Sequence, residues 1–260
     1  MRCNVAKNAI IMAAGVGSRL SPLTNDTHKS LLEVNGEIII ETLIEALIEN
    51  GIYEIHIVVG HLKEQFSYLI EKYKNASIHT IFNPYYESCN NISSLYIARK
   101  HLGNSIITDA DMIIKNPKIL NPHFDNSGYC SAWVEGDTNE WLQTVDREGY
   151  VLSCSRTGGR KGWQLFSISF WSHEHGQMLK RHLEDIFKNK KITDIYWDDV
   201  PMFCYSNEYR LKIRKINHDD LIEIDNLHEL SAMDDKYRSV QATNIQRRRA
   251  EVCDGEPFIV

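Results

Sequence analysis

The most constraining feature of the chain is the segment from residue 10 to residue 29, IIMAAGVGSRLSPLTNDTHK. Its first residues, Ile10–Met12, are apolar on both faces, which is typical of a central strand in a parallel sheet. The turn that follows has little side-chain bulk, so its backbone N–H groups can approach an anionic ligand closely. The residues of this turn are Ala13, Ala14, Gly15, Val16 and Gly17. The segment therefore predicts a phosphate-binding turn at the carboxyl end of the first strand.

Two basic side chains downstream of the turn suit a triphosphate. Arg19 offers a planar fork of donors, and Lys29 offers a mobile point charge. The turn has neither of the two commonest phosphate-binding patterns, since Leu20 interrupts G-x-G-x-x-G and no G-x-x-x-x-G-K-[ST] is present. A glycine-rich turn alone also fits an ordinary tight turn. The prediction of nucleotide binding therefore depends on the whole string AAGxGxRLxPLTxxxxK.

This string resembles the signature of the nucleotidyltransferases that make sugar nucleotides and CDP-activated headgroups. The resemblance implies that Lys29 and Arg19 are catalytic, with Lys29 at the α-phosphate and the acceptor and Arg19 at the β- and γ-phosphates. It also implies that the turn residues bind the nucleotide. One departure is His28, which stands where the family usually has proline before the lysine. This departure leaves the stiffness of the lysine loop open.

The bulk composition argues against several classes of protein. The net charge is −6 and the isoelectric point is about 6.0, so no basic field is available to hold nucleic acid by its phosphates. No run of about 18 apolar residues is present, and the N-terminus lacks an apolar signal core, so neither a membrane span nor a signal peptide is predicted. The six cysteines form no C-x-x-C pair, which predicts reduced thiols and a cytoplasmic location.

Strand and helix patterns alternate over the first 115 residues. This alternation predicts an α/β fold with a doubly wound, mostly parallel, Rossmann-like sheet, in which ligands lie beyond the carboxyl ends of the strands. The predicted strands are 8–13, 55–60, 77–82 and 105–109. The predicted helices are Glu37–Asn50, Leu62–Lys74 and Ile92–His101.

The pattern changes between residues 128 and 172, where short strands surround turn signals. We expect a small antiparallel insertion there. The later elements predicted are a helix at His175–Asn189, a short helix near Trp197–Tyr205, a strand at 211–216 and a final helix from Asn226.

Two carboxylates follow the strand predicted at 105–109. Asp109 and Asp111 stand two residues apart and point to the same side of the strand end, and nucleotidyl transfer needs a hard cation such as Mg²⁺. The resemblance implies that Asp111 ligates the metal, and Asp109 is assigned to the nucleotide site behind it; a loop aspartate capping a turn is the alternative. The resemblance also places a second metal ligand at Asp225, which could instead be the N-cap of the last helix.

Two segments, Thr138–Trp141 and Ile195–Asp199, combine aromatic rings with carboxylates. Rings and acids together attract an organic cation, so these segments predict a site for an acceptor that carries an amine. The residues assigned to it are Glu140, Trp141, Tyr196, Trp197 and Asp198. Trp141 and Trp197 also fit ordinary core positions.

The loop between Ser155 and Lys161 is basic and rich in small residues. Arg160 and Lys161 are predicted to clamp the phosphoryl oxygens of the acceptor. A solvated hairpin is the equally weighted alternative for this loop.

The aromatic segments and the stretch Tyr85–Ala98 resemble the bacterial CTP:phosphocholine cytidylyltransferase group, which also carries N-E-W, Y-W-D and Y-N-N-x-x-S-L-Y motifs. The resemblance runs from residue 8 to about residue 238. Cytidylyltransferases acting on 2-aminoethylphosphonate share the fold and site of this group, and some are fused to a transaminase. The cytosine base is expected near Gly15, Ser88 and Asn90.

The resemblance implies a CTP-dependent cytidylyltransferase that moves CMP onto 2-aminoethylphosphonate with Mg²⁺ and releases pyrophosphate. Asp199 adds a second acid, which suits a primary ammonium because a quaternary one cannot donate hydrogen bonds. The alternatives are a phosphocholine cytidylyltransferase making CDP-choline, a sugar-1-phosphate nucleotidyltransferase and, from another class, an inactive nucleotide-binding regulatory module. The expected partners are CTP and a small aminoalkyl phosphonate or phosphate ester, with no nucleic acid and no membrane; the oligomeric state is open.

The predicted cytidylyltransferase domain covers residues 1–240, and a tail covers residues 241–260. The chain finishes on an apolar tripeptide, Phe258–Val260, and exposed apolar ends usually pack against something. The tail is therefore expected to be a linker to a removed domain or a segment that docks on a partner.

Overall fold

The computed structural model describes residues 3–243, and most of its strands belong to one nine-stranded sheet. In chain order the strands are β1 (Asn4–Val5), β2 (Asn8–Ala13), β3 (Glu33–Val34), β4 (Glu37–Ile38), β5 (Glu54–Val59), β6 (Ser77–Phe82), β7 (Ser105–Asp109), β8 (Met112–Ile114), β9 (His123–Phe124), β10 (Gly128–Thr138), β11 (Leu142–Val145), β12 (Val151–Ser155), β13 (Gly159–Trp171), β14 (Arg214–Lys215) and β15 (Leu221–Glu223). The predicted strands of the first half are confirmed within one residue.

The centre of the sheet is parallel, in the order β7-β2-β5-β6. Alternate residues of β2 enter separate cores: Ile11 packs in the core that contains the first long helix, and Ile10 and Met12 pack in the core on the opposite face. Burial on both faces explains why residues 9–13 of this strand are all apolar. The register pairs Met12 with Asp109, so the chain leaves β2 and β7 side by side at the same edge of the sheet.

The predicted antiparallel region continues the parallel sheet instead of standing apart from it. Strand β13 pairs with β7 and also with β10 and β11, all antiparallel, and β12 forms the outer edge beyond β11. The fold class predicted from the sequence, a mostly parallel α/β sheet with an antiparallel addition, is confirmed.

The helices cover both faces of the sheet, and the three predicted in the first half of the chain are shorter than predicted. They are α1 (Ile39–Glu49), α2 (Ser67–Lys72), α3 (Ile92–Ala98), α4 (His173–Leu183) and α5 (Leu227–Met233), with π-helical segments at Glu184–Asn189 and Val200–Cys204. The helix predicted at Leu62–Lys74 starts late because Leu62 has a left-handed backbone, with φ of 49°, and a 3-10 turn follows it. Of the strand predicted at 211–216, only β14 forms.

Several further expectations concern the chain as a whole. No helix among residues 3–243 is long and apolar enough to cross a membrane. The cysteines within these residues are free thiols. The predicted tail lies outside the described residues from position 244 onward.

Candidate active site

A cleft of about 420 Å³ opens at the carboxyl ends of β2 and β7. The glycine-rich turn, the lysine loop and the carboxylates after β7 form its walls, which is where an open α/β sheet binds its ligands. The residues that line it are Met12, Ala13, Ala14, Gly15, Gly17, Ser18, Arg19, His28, Lys29, Ser30, Asn90, Asn91, Ser94, Asp109, Ala110, Asp111 and Asp225. The cleft therefore brings together most of the residues predicted to bind nucleotide and metal.

The glycine-rich turn requires its glycines at specific positions. Gly17 has φ of 69°, a left-handed conformation that costs L side chains free energy. A Cβ at this position would also lie 3.0 Å from Thr24 Cγ2 and 3.2 Å from Lys29 Cβ. Gly15 has open space around it, which leaves its backbone free to face a ligand. The turn and the lysine loop are thus in direct contact.

His28 ties the turn to the lysine loop. Its Nε2 donates to the Gly15 carbonyl oxygen at 3.1 Å, and its Nδ1 accepts from the Ser30 backbone N–H at 3.2 Å. The ring is 3% exposed, and burial lowers its pKa to about 4, so the imidazole is neutral at pH 7. The histidine that replaces the family's usual proline therefore holds the loop through hydrogen bonds.

Lys29 lies between the two carboxylates predicted to hold a metal. Its Nζ donates to Asp111 Oδ2 at 2.6 Å and to Asp225 Oδ1 at 3.4 Å. Burial opposes the charge, but Asp111 and Asp225 outweigh it and raise the pKa of Lys29 above its ordinary value. Arg19 donates to the same Asp225 oxygen at 2.6 Å from a largely exposed side chain. The four predicted residues form one charged cluster.

Local pairing explains how Asp111 and Asp225 meet. Strands β8 and β15 are antiparallel neighbours, with Met112 opposite Glu223, and Ile224 N donates to the Asp111 carbonyl oxygen at 3.0 Å. The N-cap of α5 is Asn226, whose side chain accepts from the two backbone N–H groups that follow. Asp225 is consequently free of the capping role that the sequence left open.

A third carboxylate, Glu223, joins this cluster. Donor oxygens of Asp111, Glu223 and Asp225 all lie within 4.8 Å of one another. Burial, together with Asp111 and Asp225, raises the pKa of Glu223 to about 8. Asp111 Oδ1 is buried and has no hydrogen-bond partner. A set of hard oxygen donors with an unpartnered carboxylate oxygen fits a divalent cation such as Mg²⁺.

Asp109 lines the cleft beside Asp111. Burial raises its pKa well above the usual range, and the neighbouring Asp111 and Asp198 carboxylates raise it further. Asn90 lines the cleft as predicted, whereas Val16 and Ser88 are exposed and lie outside its lining. Asn90 N donates to the Thr193 carbonyl oxygen at 2.8 Å, so this part of the cleft is tied to the predicted aromatic segment.

The predicted acceptor segments meet at a cluster of contacting rings, Trp141, Tyr196 and Phe203, which we call the aromatic recess. The Trp141 ring meets Tyr196 edge-on at 6.0 Å and Phe203 at 5.5 Å between centroids. The Arg156 guanidinium lies 3.7 Å from the Phe203 centroid, and its Nε donates to Asp199 Oδ1 at 2.6 Å. A cation from the chain itself, Arg156, therefore lies on the Phe203 side of the recess.

Two residues of the second aromatic segment differ from expectation. Trp197 is fully buried against Tyr129 and Trp171, so its ring has no surface with which to contact an acceptor. Trp197 therefore occupies an ordinary core position, the alternative given for it from the sequence. Asp199, the second acid expected to face an ammonium, instead pairs with Arg156 and accepts from Tyr196 N at 2.9 Å.

Asp198 is the carboxylate of this segment that remains without an ionic partner among the described residues. It is 8% exposed, and burial raises its pKa to about 7, although the Tyr129 hydroxyl beside it acts in the opposite direction. Its charge acts on Asp109 in the cleft. It is therefore the acid placed between the cleft and the aromatic recess.

The other three acceptor residues lie away from the recess. Arg160 pairs with Asp137 at 3.3 Å and Lys161 with Glu135 at 3.2 Å, across the β10–β13 ladder, and both side chains are well exposed. Arg160 and Lys161 therefore fit the alternative of a solvated hairpin, because the pairing of β10 with β13 directs their side chains toward the neighbouring strand. Glu140 lies near Asp225 instead. Its pKa is raised mainly by burial and further by the Asp225 carboxylate.

Several residues of these sites, Phe203 among them, were not predicted from the sequence. Arg156 belongs to the basic loop that was identified, but its stacking on Phe203 depends on how the hairpin folds. Glu223 stands two residues before the predicted metal ligand Asp225, and Asn91 and Ser94 stand in the stretch Tyr85–Ala98. The sequence offered one signal for Glu223, Asn91 and Ser94: each lies within a few positions of a residue that was assigned to the site.

Comparison with known proteins gives the family. The Nucleotidyl transferase family model matches residues 8–128. A 2-aminoethylphosphonate cytidylyltransferase of Lancefieldella rimae is 37% identical over 88% of this chain and 93% of its own length. A choline-phosphate cytidylyltransferase of Streptococcus pneumoniae is 34% identical over 87% of this chain and 96% of its own length.

A solved structure agrees with these matches. The CTP:phosphocholine cytidylyltransferase of Streptococcus pneumoniae superposes with a TM-score of 0.81 at 33% identity, and the match covers 89% of this chain and 99% of that one. The chain belongs to the nucleotidyltransferase family and is a cytidylyltransferase.

Proposed function

We propose that the protein transfers CMP from CTP to 2-aminoethylphosphonate and releases pyrophosphate. The observation that carries this proposal is the convergence of Lys29 on Asp111 and Asp225, at 2.6 and 3.4 Å, beside the glycine-rich turn. That arrangement supplies a cation for the reacting phosphate and carboxylates for a divalent metal. The phosphonate acceptor is supported by the 37% identity to a relative named for it.

The proposed reaction is a single in-line displacement. An anionic phosphonate oxygen of the acceptor forms a bond to the α-phosphorus of CTP, and the bond from that phosphorus to the bridging oxygen of pyrophosphate breaks. No covalent enzyme intermediate is needed, because the acceptor is already an anionic nucleophile. Catalysis is then positioning together with neutralisation of charge.

The residues of the cleft have separate parts in this reaction. Lys29 contacts the α-phosphate and the attacking oxygen, and Arg19, whose side chain is 66% exposed, reaches the β- and γ-phosphates. Asp111 and Asp225 hold Mg²⁺, with Glu223 beside them. When bound, Mg²⁺ neutralises the triphosphate and stabilises the leaving pyrophosphate. Backbone groups near Gly15 and the Asn90 side chain select the cytosine base.

The acceptor binds between the cleft and the aromatic recess. Trp141 and Tyr196 face its ammonium group, since aromatic faces attract organic cations. Asp198 supplies the opposite charge. Arg156 reaches the phosphonate from the rim of the recess, because a guanidinium fork matches a phosphonate with two parallel hydrogen bonds. This role replaces the one expected of Arg160 and Lys161.

Phosphocholine is the second candidate acceptor, and a specific observation favours it. Asp199 is already paired with Arg156, so the recess offers a primary ammonium one acid fewer than the sequence indicated. The choline-phosphate relative at 34% identity agrees with this reading. Both acceptors share a cation, a two-carbon spacer and a phosphoryl group, so the cleft chemistry is the same.

The test is a comparison of acceptors under identical conditions. Pyrophosphate release is measured with CTP and Mg²⁺ for 2-aminoethylphosphonate, phosphoethanolamine, phosphocholine and a sugar 1-phosphate. The proposal predicts the highest kcat/KM for 2-aminoethylphosphonate. A higher kcat/KM for phosphocholine would make phosphocholine the acceptor. A higher kcat/KM for the sugar 1-phosphate would contradict the role of the aromatic recess in acceptor binding. No pyrophosphate release with any acceptor would favour a regulatory module.

A matched pair of tryptophan variants tests the recess itself. Trp141→Leu should raise KM for the acceptor by at least about tenfold and leave KM for CTP unchanged, because a well-desolvated cation–π contact is worth roughly 2 kcal/mol. Trp133→Leu is the control, since Trp133 packs on Trp163 and is 41% exposed on the outer strands. Equal acceptor KM values for the two variants would contradict the assignment.

A further inference from the structure

A second cluster of metal-ligating side chains lies on the sheet away from the cleft. Glu54 and His56 are on β5, and His101 ends the 3-10 turn Arg99–His101 that follows α3. One donor atom from each of the three side chains lies within 4.8 Å of the others. His56 precedes the last residue of β5 by three positions, or roughly 10 Å. The cluster is therefore separate from the carboxylates at the carboxyl edge.

The imidazoles of this cluster are stacked. The rings of His56 and His101 are 3.5 Å apart between centroids with 28° between their planes. His79 stands opposite His56 in the parallel register of β5 and β6, at 5.4 Å. Glu54 Oε1 lies 3.0 Å from His56 Nε2. Donor atoms of two imidazoles and a carboxylate thus lie close together, with a third imidazole beside them.

His56 is the part of the cluster that an ordinary packing role leaves unexplained. Its side chain is 3% exposed; its Nε2 faces Glu54, and its Nδ1, the other ring nitrogen, has no hydrogen-bond partner. Leaving a buried polar nitrogen unpaired costs about 1–3 kcal/mol, so such atoms in folded proteins call for a ligand or another explanation.

We propose that Glu54, His56 and His101 bind a divalent transition-metal ion such as Zn²⁺. Two imidazole nitrogens and one carboxylate oxygen are a donor set that suits Zn²⁺, whereas Mg²⁺ prefers oxygen ligands alone. The Glu54 side chain is 53% exposed, so an ion has a path from solvent. Binding joins β5 to the segment after α3, and α3 carries Ser94 of the nucleotide cleft.

The test measures Zn²⁺ binding to the full chain by calorimetry in excess Mg²⁺, which occupies the oxygen-only carboxylates of the cleft. Wild type should bind one Zn²⁺ at this site, and His101→Ala should weaken that binding by more than about tenfold. His79→Ala is the matched control, because His79 stacks on His56 without belonging to the ligand set. Wild-type affinity in His101→Ala would overturn the proposal.

Two additional measurements keep the test decisive. Glu54→Gln changes a half-exposed side chain, so it keeps the proposal testable if His101→Ala fails to fold; it should also weaken binding by more than about tenfold. Co²⁺ should give wild type and His79→Ala visible d–d absorption that His101→Ala lacks. If the Zn²⁺ site instead disappears in Asp111→Asn and persists in Glu54→Gln, the ion binds in the cleft and the proposal is wrong.

Discussion

The buried His28 ring makes the stability of the protein depend on pH in a way that one substitution can isolate. In the folded state its pKa is lowered from 6.5 to about 4, because burial disfavours the charged ring. As the pH falls, His28 is therefore protonated near pH 6.5 in the unfolded chain but only near pH 4 in the folded protein. The contribution of neutral His28 to the free energy of unfolding is fully present above pH 6.5 and is lost as the pH falls toward 4.

The magnitude follows from the size of the shift. Each unit of pKa difference is worth about 1.4 kcal/mol, so His28 accounts for the loss of about 2.5 kcal/mol of unfolding free energy between pH 7.5 and pH 4.5. The assay is urea unfolding followed by circular dichroism at the two pH values. Wild type is compared with His28→Gln and with the control His123→Gln, which changes an exposed ring.

His28→Gln should lose about 2.5 kcal/mol less than wild type over this pH interval. It should also be destabilised at pH 7.5 by about 1–3 kcal/mol, because the contacts to Gly15 and Ser30 are disturbed. His123→Gln should follow wild type. If wild type and His28→Gln lose stability in parallel on acidification, the neutral, buried state assigned to His28 is refuted.

Three further substitutions test the cleft. Lys29→Ala should cost on the order of 3 kcal/mol of transition-state stabilisation; turnover within threefold of wild type would contradict its role. Asp225→Asn should raise the Mg²⁺ concentration for half-maximal rate by about tenfold or more; an unchanged requirement would exclude it as a ligand. Burial raises the pKa of Asp198 to about 7. At lower pH the carboxylate is protonated, so wild-type kcat/KM for an amine acceptor should decrease as the pH is lowered from 7. Asp198→Asn should lack this decrease.

The sequence predicted the sheet and the strand ends that line the cleft, because both depend on local patterns. Strands buried on two faces are apolar throughout, as Ile10 and Ile11 are, and their order fixes which strand ends meet. The prediction that Asp111 and Asp225 belong to one cluster depended on family resemblance, since these residues are 114 positions apart and no local pattern joins them.

The acceptor side was predicted less well because it depends on packing between distant segments. Aromatic residues beside acids do not reveal which ring faces inward, and Trp197 packs in the core while Tyr196 stays half exposed. In the basic loop, the hairpin register directs Arg160 toward the neighbouring strand, and Arg156 reaches Phe203 instead. Such choices are made by tertiary contacts that composition and spacing do not encode.

The most direct test of the account is the identity of the product formed from CTP, Mg²⁺ and 2-aminoethylphosphonate. Mass spectrometry of the reaction should show CMP joined to the phosphonate, with one pyrophosphate released for each molecule formed, and Asp111→Asn with Asp225→Asn should abolish both. Release of pyrophosphate without a CMP–phosphonate product, or undiminished transfer in that double variant, would contradict the claim that these two carboxylates and Lys29 carry out cytidylyl transfer.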